Sequence, residues 1–219
     1  MSATDQPVQV GFSYDTVMNG TYDILTGQVI PLPEGAPLPQ QNATNLVGAF
    51  PSQKAANTAI GTENSARALW QFAQVFFSEF PDYKPNDNRV SIWTESYGGK
   101  YGPATTAFFQ QQNQRIANGT ISSANASMIH LDTLGIINGC VDSLTMELSY
   151  PMMAYNNTYG IQAIDEDTFI QERTAWAAPG GCQELIFTCR ALAAQRDPEN
   201  TGMDQMTNTA CVNAVNTCL

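Results

Sequence analysis

The chain has 219 residues, 43 % of them hydrophobic, and a net charge of −11. That length and apolar content suit a globular protein with a sizeable core and exclude a disordered chain. The acidic balance excludes nucleic acid and anionic membrane surfaces as partners, since both need basic patches, and no run reaches the roughly 18 apolar residues of a membrane span.

Taken in order, the first residues, MSATDQPVQV, have neither a basic start nor an apolar core, so no signal peptide is visible in this chain. Val8, Val10 and Phe12 alternate with other residues, which predicts a strand within 5–14. Residues 15–30 read as turn-rich, with Asn19-Gly20 and Gly27 as breakers. Residues 31–45, with four prolines, read as an ordered surface loop. Thr62 is placed to cap a helix whose apolar residues recur at Ala66, Leu69, Trp70, Ala73, Phe76, Phe77 and Phe80, with Pro81 as its stop. That helix is expected to cover one face of a sheet. Val90, Ile92 and Trp93 predict the end of a short buried strand. Helical spacing resumes at Gly98-Gly99 and runs to about Ile116, with Pro103 tolerated in its first turns. Residues 117–130 form a polar loop, and Leu134, Ile136 and Ile137 the next strand, which gives three or four strands in all. After Asp142 strand signals stop. Helices are predicted near 144–155, from Asp165-Glu166-Asp167 to just before Pro179-Gly180, and through the cysteine-bearing end; acids favour a helix N-terminus.

Five cysteines are present. Cys182 and Cys189 are seven residues apart, as are Cys211 and Cys218, so each pair lies on one helix face two turns apart. If a helix over 182–195 packs antiparallel to one over 207–218, Cys182 meets Cys218 and Cys189 meets Cys211. Two other pairings, and four buried thiols, stay open; zinc is disfavoured because no CxxC spacing occurs. Cys140 is left over, as a buried free thiol or one whose partner lies outside this chain. Glycosylation sequons stand at Asn19, Asn42, Asn118, Asn125 and Asn156.

The chemistry centres on WTESYGGKYGP, Trp93 to Pro103. A serine at a strand-to-helix turn is a nucleophile elbow, although Thr94 stands where the usual GxSxG has glycine. Ser96 is the candidate nucleophile, and the Tyr97 amide would supply half of an oxyanion hole. A serine needs a base, normally histidine oriented by a carboxylate. The only histidine, His130, is expected to be a surface or strand-edge residue rather than that base. Asn138-Gly139 and Asp142 are turn formers first, and Asp5 is structural. No metal-ligand pattern or phosphate loop is present, so neither metal nor cofactor is expected.

Three stretches share one resemblance. Glu95-Ser96-Tyr97-Gly98-Gly99 with Tyr101-Gly102-Pro103, DQPVQVGFSYD (Asp5 to Asp15) and LGIINGCVD (Leu134 to Asp142) resemble the serine carboxypeptidase family, the α/β-hydrolase exopeptidases, in its fungal form. The resemblance implies an α/β chain: a partial α/β-hydrolase core over residues 1–142, then a disulfide-linked helical lid insertion over 143–219. It implies that Ser96 attacks C-terminal peptide bonds through an acyl-enzyme, and that Glu95 recognises the free C-terminal carboxylate of a peptide or protein substrate. In the family this glutamate shares a proton with a second one upstream; close carboxyls cannot both ionise easily, which favours acidic pH. The structural alternative is that Glu95 bonds nearby backbone amides. The family's catalytic Asp and His follow the lid, and its second oxyanion amide precedes the Asp5 stretch, so this chain is expected to be the central fragment of a secreted or vacuolar enzyme and inactive alone. Two other readings are a non-catalytic peptide-binding remnant and an acyltransferase on the same scaffold. No oligomeric state is specified.

Overall fold

The computed structural model describes residues 4–80 and 82–218. They fall into two compact units, Met1–Ile60 and Gly61–Leu219.

The first unit is built on an antiparallel sheet in the order β2-β1-β3, with β1 at Met18–Asp23, β2 at Gln28–Pro31 and β3 at Asn45–Phe50. This corrects the turn-rich reading of 15–30. Asn19-Gly20 lies inside β1, where a Cβ on Gly20 would stand 2.9 Å from the Ile30 carbonyl. The turn comes later. Asp23 Oδ1 accepts the Leu25 amide at 2.8 Å, and Gly27, at φ +69, closes the hairpin. The strand expected within 5–14 is also corrected. The Val10 amide donates to the Pro7 carbonyl and the Ser13 amide to Val10, while Gln9 and Gly11 take positive φ. The Asp5 carboxylate accepts the Phe12 amide at 2.8 Å. Such local side-chain bonds compete with a ladder and here prevail over the apolar alternation. Asp5 is thus structural, and so is Asp15, which accepts Asn57 Nδ2 at 2.6 Å and both the hydroxyl and the amide of Ser52.

In the second unit α1 (Thr62–Glu79) is followed by β4 (Arg89–Glu95), α2 (Gly98–Ala117) and β5 (His130–Ile137). β4 and β5 are parallel neighbours, and α2 is the crossover that lies on both. Trp70 and Ala73 of α1 meet Phe109 and Ile116 of α2, with Ala126 and Ile129 completing the core. So α1 packs mainly on α2, and it is α2 that covers the strands. The helix starts one residue early: Gly61, at φ +83, is its N-cap, and Thr62 makes no capping bond. Pro81 lies outside the described residues. Trp93 was expected to be buried but is 64 % exposed. Its ring lies across Gly135, where a Cβ would come within 2.3 Å of it. The count of three or four strands becomes five among the described residues, in two sheets.

The remaining elements are helical: α3 (Ser143–Met146), α4 (Ser149–Tyr155), α5 (Glu166–Ala177), α6 (Cys182–Arg196) and α7 (Gln205–Cys218). Asp165 caps α5 by accepting the Thr168 amide at 2.8 Å. Cys182 is bonded to Cys218 and Cys189 to Cys211. Cys182, Ile186 and Ala214 form a small core beneath these bonds, joined by Leu144 and Trp176. At the tip of the hairpin Asp197 accepts the Thr201 and Gly202 amides, both at 2.8 Å, and Asp204 pairs with Arg196 at 3.1 Å. Cys140 is free and exposed rather than buried. No helix among the described residues is long and apolar enough to cross a membrane.

These turns set the response to acid. Hydrogen bonds from Asn57 and Ser52 hold the Asp15 carboxyl well below its ordinary 3.8, and those from Arg196 and Thr207 do the same for Asp204. Thr168 lowers Asp165, and Thr201 lowers Asp197. A carboxyl lowered on folding contributes fully above its unfolded value and loses that contribution as the pH falls towards the folded one. The melting temperature is therefore expected to hold between about pH 7 and about pH 5 and to fall only below about pH 4. A thermal melt across that range checks it, and a decline already beginning above about pH 5 contradicts it.

Candidate active site

β4 passes into α2 through Ser96 and Tyr97, with no loop between them. One residue must reverse the chain's direction, and it is Ser96, at φ +55. Its amide donates to the Ile137 carbonyl at 3.1 Å, which continues the strand pairing by one residue. Its carbonyl accepts the Gly99 amide at 2.9 Å and the Cys140 amide at 2.8 Å. The side chain is exposed at the C-terminal end of the strand pair, the end at which open α/β sheets bind their ligands.

So tight a junction needs space on three sides. A Cβ on Gly98 would lie 2.5 Å from the Cβ of Thr94. On Gly102 it would lie 2.8 Å from the Thr94 hydroxyl, and on Gly99 2.8 Å from the Cys140 backbone. Thr94 therefore fits where the generic pattern has glycine because the helix supplies the missing room. The imperfect match to GxSxG is a redistribution of small residues.

Tyr97 stands at the N-cap of α2 with helical backbone angles. Its carbonyl accepts the Lys100 amide at 2.9 Å, while its own amide donates to no acceptor among the described residues. The ring is half exposed and meets Tyr101 edge-on at 5.5 Å. Glu95 is the last residue of β4, in register with Ile137. Its carboxylate is exposed and has neither a hydrogen bond nor an ion pair among the described residues, so the backbone-bonding alternative finds no bond here.

Glu95, Ser96 and Tyr97 thus share one end of the strand pair. His130 does not. It opens β5 opposite Arg89, at the other end, and seven strand residues put it about 20 Å from Ser96. No group of His, Cys, Asp or Glu that could hold a metal ion occurs among the described residues.

The turn after β5 carries what motif reading missed. Asn138 takes φ +44. Lys100 Nζ donates to the Val141 carbonyl at 3.1 Å. Asp142 does more than form a turn: it accepts the Thr145 hydroxyl at 2.8 Å and is ion-paired with Arg190 of α6. The Arg190 bond, then the Thr145 bond, hold its carboxyl below the ordinary value. Burial pushes the neighbouring Glu147 carboxyl up, and Lys100 draws it partly back. The Arg190 partner lies 48 residues along the chain, beyond the reach of any local pattern.

Comparison with known proteins agrees on one family. The model of the family described as serine carboxypeptidase matches residues 4–218. Carboxypeptidase S1 homolog B of Arthroderma otae is 51 % identical over 98 % of this chain and 33 % of its own length. Carboxypeptidase S1 homolog A of the same organism is 47 % identical over 98 % of this chain and 33 % of its own. A carboxypeptidase Y homolog of Arthroderma benhamiae is 43 % identical, again over 98 % of this chain and 34 % of its own. The chain thus spans about a third of the length of the curated relatives it matches.

The elbow's packing makes a prediction whose sign is informative. By helix propensity alone Gly99→Ala would stabilise α2 by about 1 kcal/mol. The contact with the Cys140 backbone reverses that, and a net loss of about 1–3 kcal/mol is expected from urea unfolding. Ala107→Ser, on the exposed side of α2, is expected to change stability by less than about 0.5 kcal/mol.

Proposed function

This chain belongs to the serine carboxypeptidase family, and we propose on that premise that Ser96 is the nucleophile of a serine-type carboxypeptidase. Its hydroxyl attacks the carbonyl of a C-terminal peptide bond, the terminal amino acid leaves, and water releases the acyl group. The observation that carries this reading is the exposed Ser96 held at φ +55 beside a Tyr97 amide that has no acceptor among the described residues. That amide is placed to bind the oxyanion, which forms only in the transition state. Glu95, adjacent and free of other bonds among the described residues, would bind the substrate's terminal carboxylate. Substrates are peptides or proteins with a free C-terminus.

In this reading residues 1–142 belong to the hydrolase core, and residues 143–219 form a helical lid over the site. The place of His130 at the far end of β5 supports reading it as a strand-edge residue rather than the base. By the family's pattern the Asp and His follow the lid and the second oxyanion donor precedes Asp5, so activity belongs to the complete protein. Two disulfides and five exposed sequon asparagines, Asn19, Asn42, Asn118, Asn125 and Asn156, support a secreted or vacuolar location.

The test uses a blocked dipeptide at acidic pH. The 219-residue chain alone is expected to release no amino acid. The protein expressed from its complete reading frame is expected to cleave it, with Ser96→Ala lowering kcat at least about 10⁴-fold. Glu95→Ala is expected to raise KM more than it lowers kcat, because a carboxylate contact is made in ground and transition states alike. Binding without cleavage by the complete protein would favour a peptide-binding remnant, and transfer of the acyl group to an alcohol in preference to water would favour an acyltransferase.

A further inference from the structure

The segment from Asn138 to Leu148 lies between the elbow and the cysteine hairpin and touches both. Towards the elbow, the Cys140 amide donates to the Ser96 carbonyl at 2.8 Å, and Lys100 Nζ donates to the Val141 carbonyl at 3.1 Å. Gly139 sits so close that a Cβ on it would stand 3.1 Å from the Gly99 Cα. Towards the hairpin, Leu144 packs on the core of Cys182, Ile186 and Ala214. The Asp142 carboxylate is paired with Arg190, the residue after Cys189, whose disulfide to Cys211 fixes that turn of α6.

We infer that Asp142 and Arg190 are positioning residues for Ser96, joining the disulfide hairpin to the backbone that holds the nucleophile. The inference rests on Ser96 being that nucleophile. A non-glycine residue at positive φ persists only where its surroundings over-determine it. Two amides hold the Ser96 carbonyl. The Gly99 amide belongs to the same turn and moves with it, so Cys140 is the external anchor. Cys140 lies two residues after Asn138, itself at φ +44, so the conformation of this turn too depends on what holds its far end. Asp142 is that far end, tied by Arg190, while Lys100 holds the Val141 carbonyl one residue before it.

The magnitudes separate this role from a merely structural one. The pair is half exposed, with Arg190 at 50 % and Asp142 at 37 %. An exposed ion pair contributes little to global stability. Losing it should therefore leave the fold standing while loosening the 138–142 turn and the Ser96 carbonyl with it.

The experiment is a double-mutant cycle in the protein expressed from its complete reading frame, using Asp142→Asn, Arg190→Gln and both together. Each single variant is expected to lower kcat about 10-fold, with KM changed less than about twofold and the melting temperature almost unmoved. The double variant is expected to be no worse than either single one, because both remove the same tie. Hydrogen exchange gives a readout independent of activity: peptides covering 138–142 are expected to exchange about 10-fold faster in the variants, with those covering α1 unchanged. Unchanged kcat together with unchanged exchange over 138–142 overturns the inference. So does a general loss of melting temperature with faster exchange throughout, which is a structural role only. If the unsubstituted protein has no peptidase activity, the nucleophile reading fails, and the exchange data alone then decide whether the pair holds the turn.

Discussion

Everything at the site depends on one backbone constraint, the passage from strand to helix through a single residue. That residue must adopt a left-handed conformation, which for serine costs about 1–2 kcal/mol. Three hydrogen bonds to the Ser96 backbone, from its own amide at 3.1 Å and to its carbonyl at 2.9 and 2.8 Å, offset that cost. Each requires close approach of another stretch of backbone, and close approach requires small residues. Gly98, Gly99 and Gly102 on the helix and Gly139 on the following turn satisfy this together. The glycines of the motif are thus a packing specification, and the serine hydroxyl is presented to solvent as its consequence.

The same constraint explains why β4 and β5 hold together as a pair. Parallel strands need a crossover to cover them, and α2 supplies it, with Phe109 and Ile116 directed at Trp70 and Ala73 of α1. The other surface of the pair is less protected. Trp93, Ile136 and Ile137 are exposed there or at the strand ends, and each strand has a partner on one side only among the described residues. Exposed apolar residues beside unpaired edges invite association with another strand, so the elbow is the most self-sufficient part of a sheet that is otherwise open.

What was legible in the sequence was whatever local spacing encodes. The apolar recurrence from Ala66 to Phe77 gave α1, and the seven-residue cysteine spacing gave a hairpin in which Cys182 faces Cys218 and Cys189 faces Cys211. The order of Glu95, Ser96, Tyr97 and the glycines gave the elbow. Local rules misled where a non-local partner decided the matter. Asn19-Gly20 reads as a turn, yet it is a strand because β2 and β3 flank it and Gly20 is needed beneath the Ile30 carbonyl. Val8, Val10 and Phe12 read as a strand, yet Asp5 folds that segment onto itself. Trp93 reads as core, yet its ring rests on Gly135 at the surface. Asp142 reads as a turn former, and nothing nearby announces Arg190.

Two electrostatic demands meet in this chain. The role proposed for Glu95 calls for a shared proton and therefore for acid, while acid threatens any structure held by ionised carboxylates. The two are separated by where hydrogen-bond donors have been placed. Asp15, Asp142, Asp165, Asp197 and Asp204 hold turns and helix ends, and each has hydrogen-bond donors that lower its carboxyl below the ordinary aspartate value, Asp15 and Asp204 the most. Glu95 has no such donors among the described residues, and no turn hangs on its charge. Protonating the aspartates would release the hairpin tip, the α5 cap and the tie to Arg190. The donors placed around these aspartates therefore keep the turns and helix ends closed in the mildly acidic solution that the role proposed for Glu95 calls for.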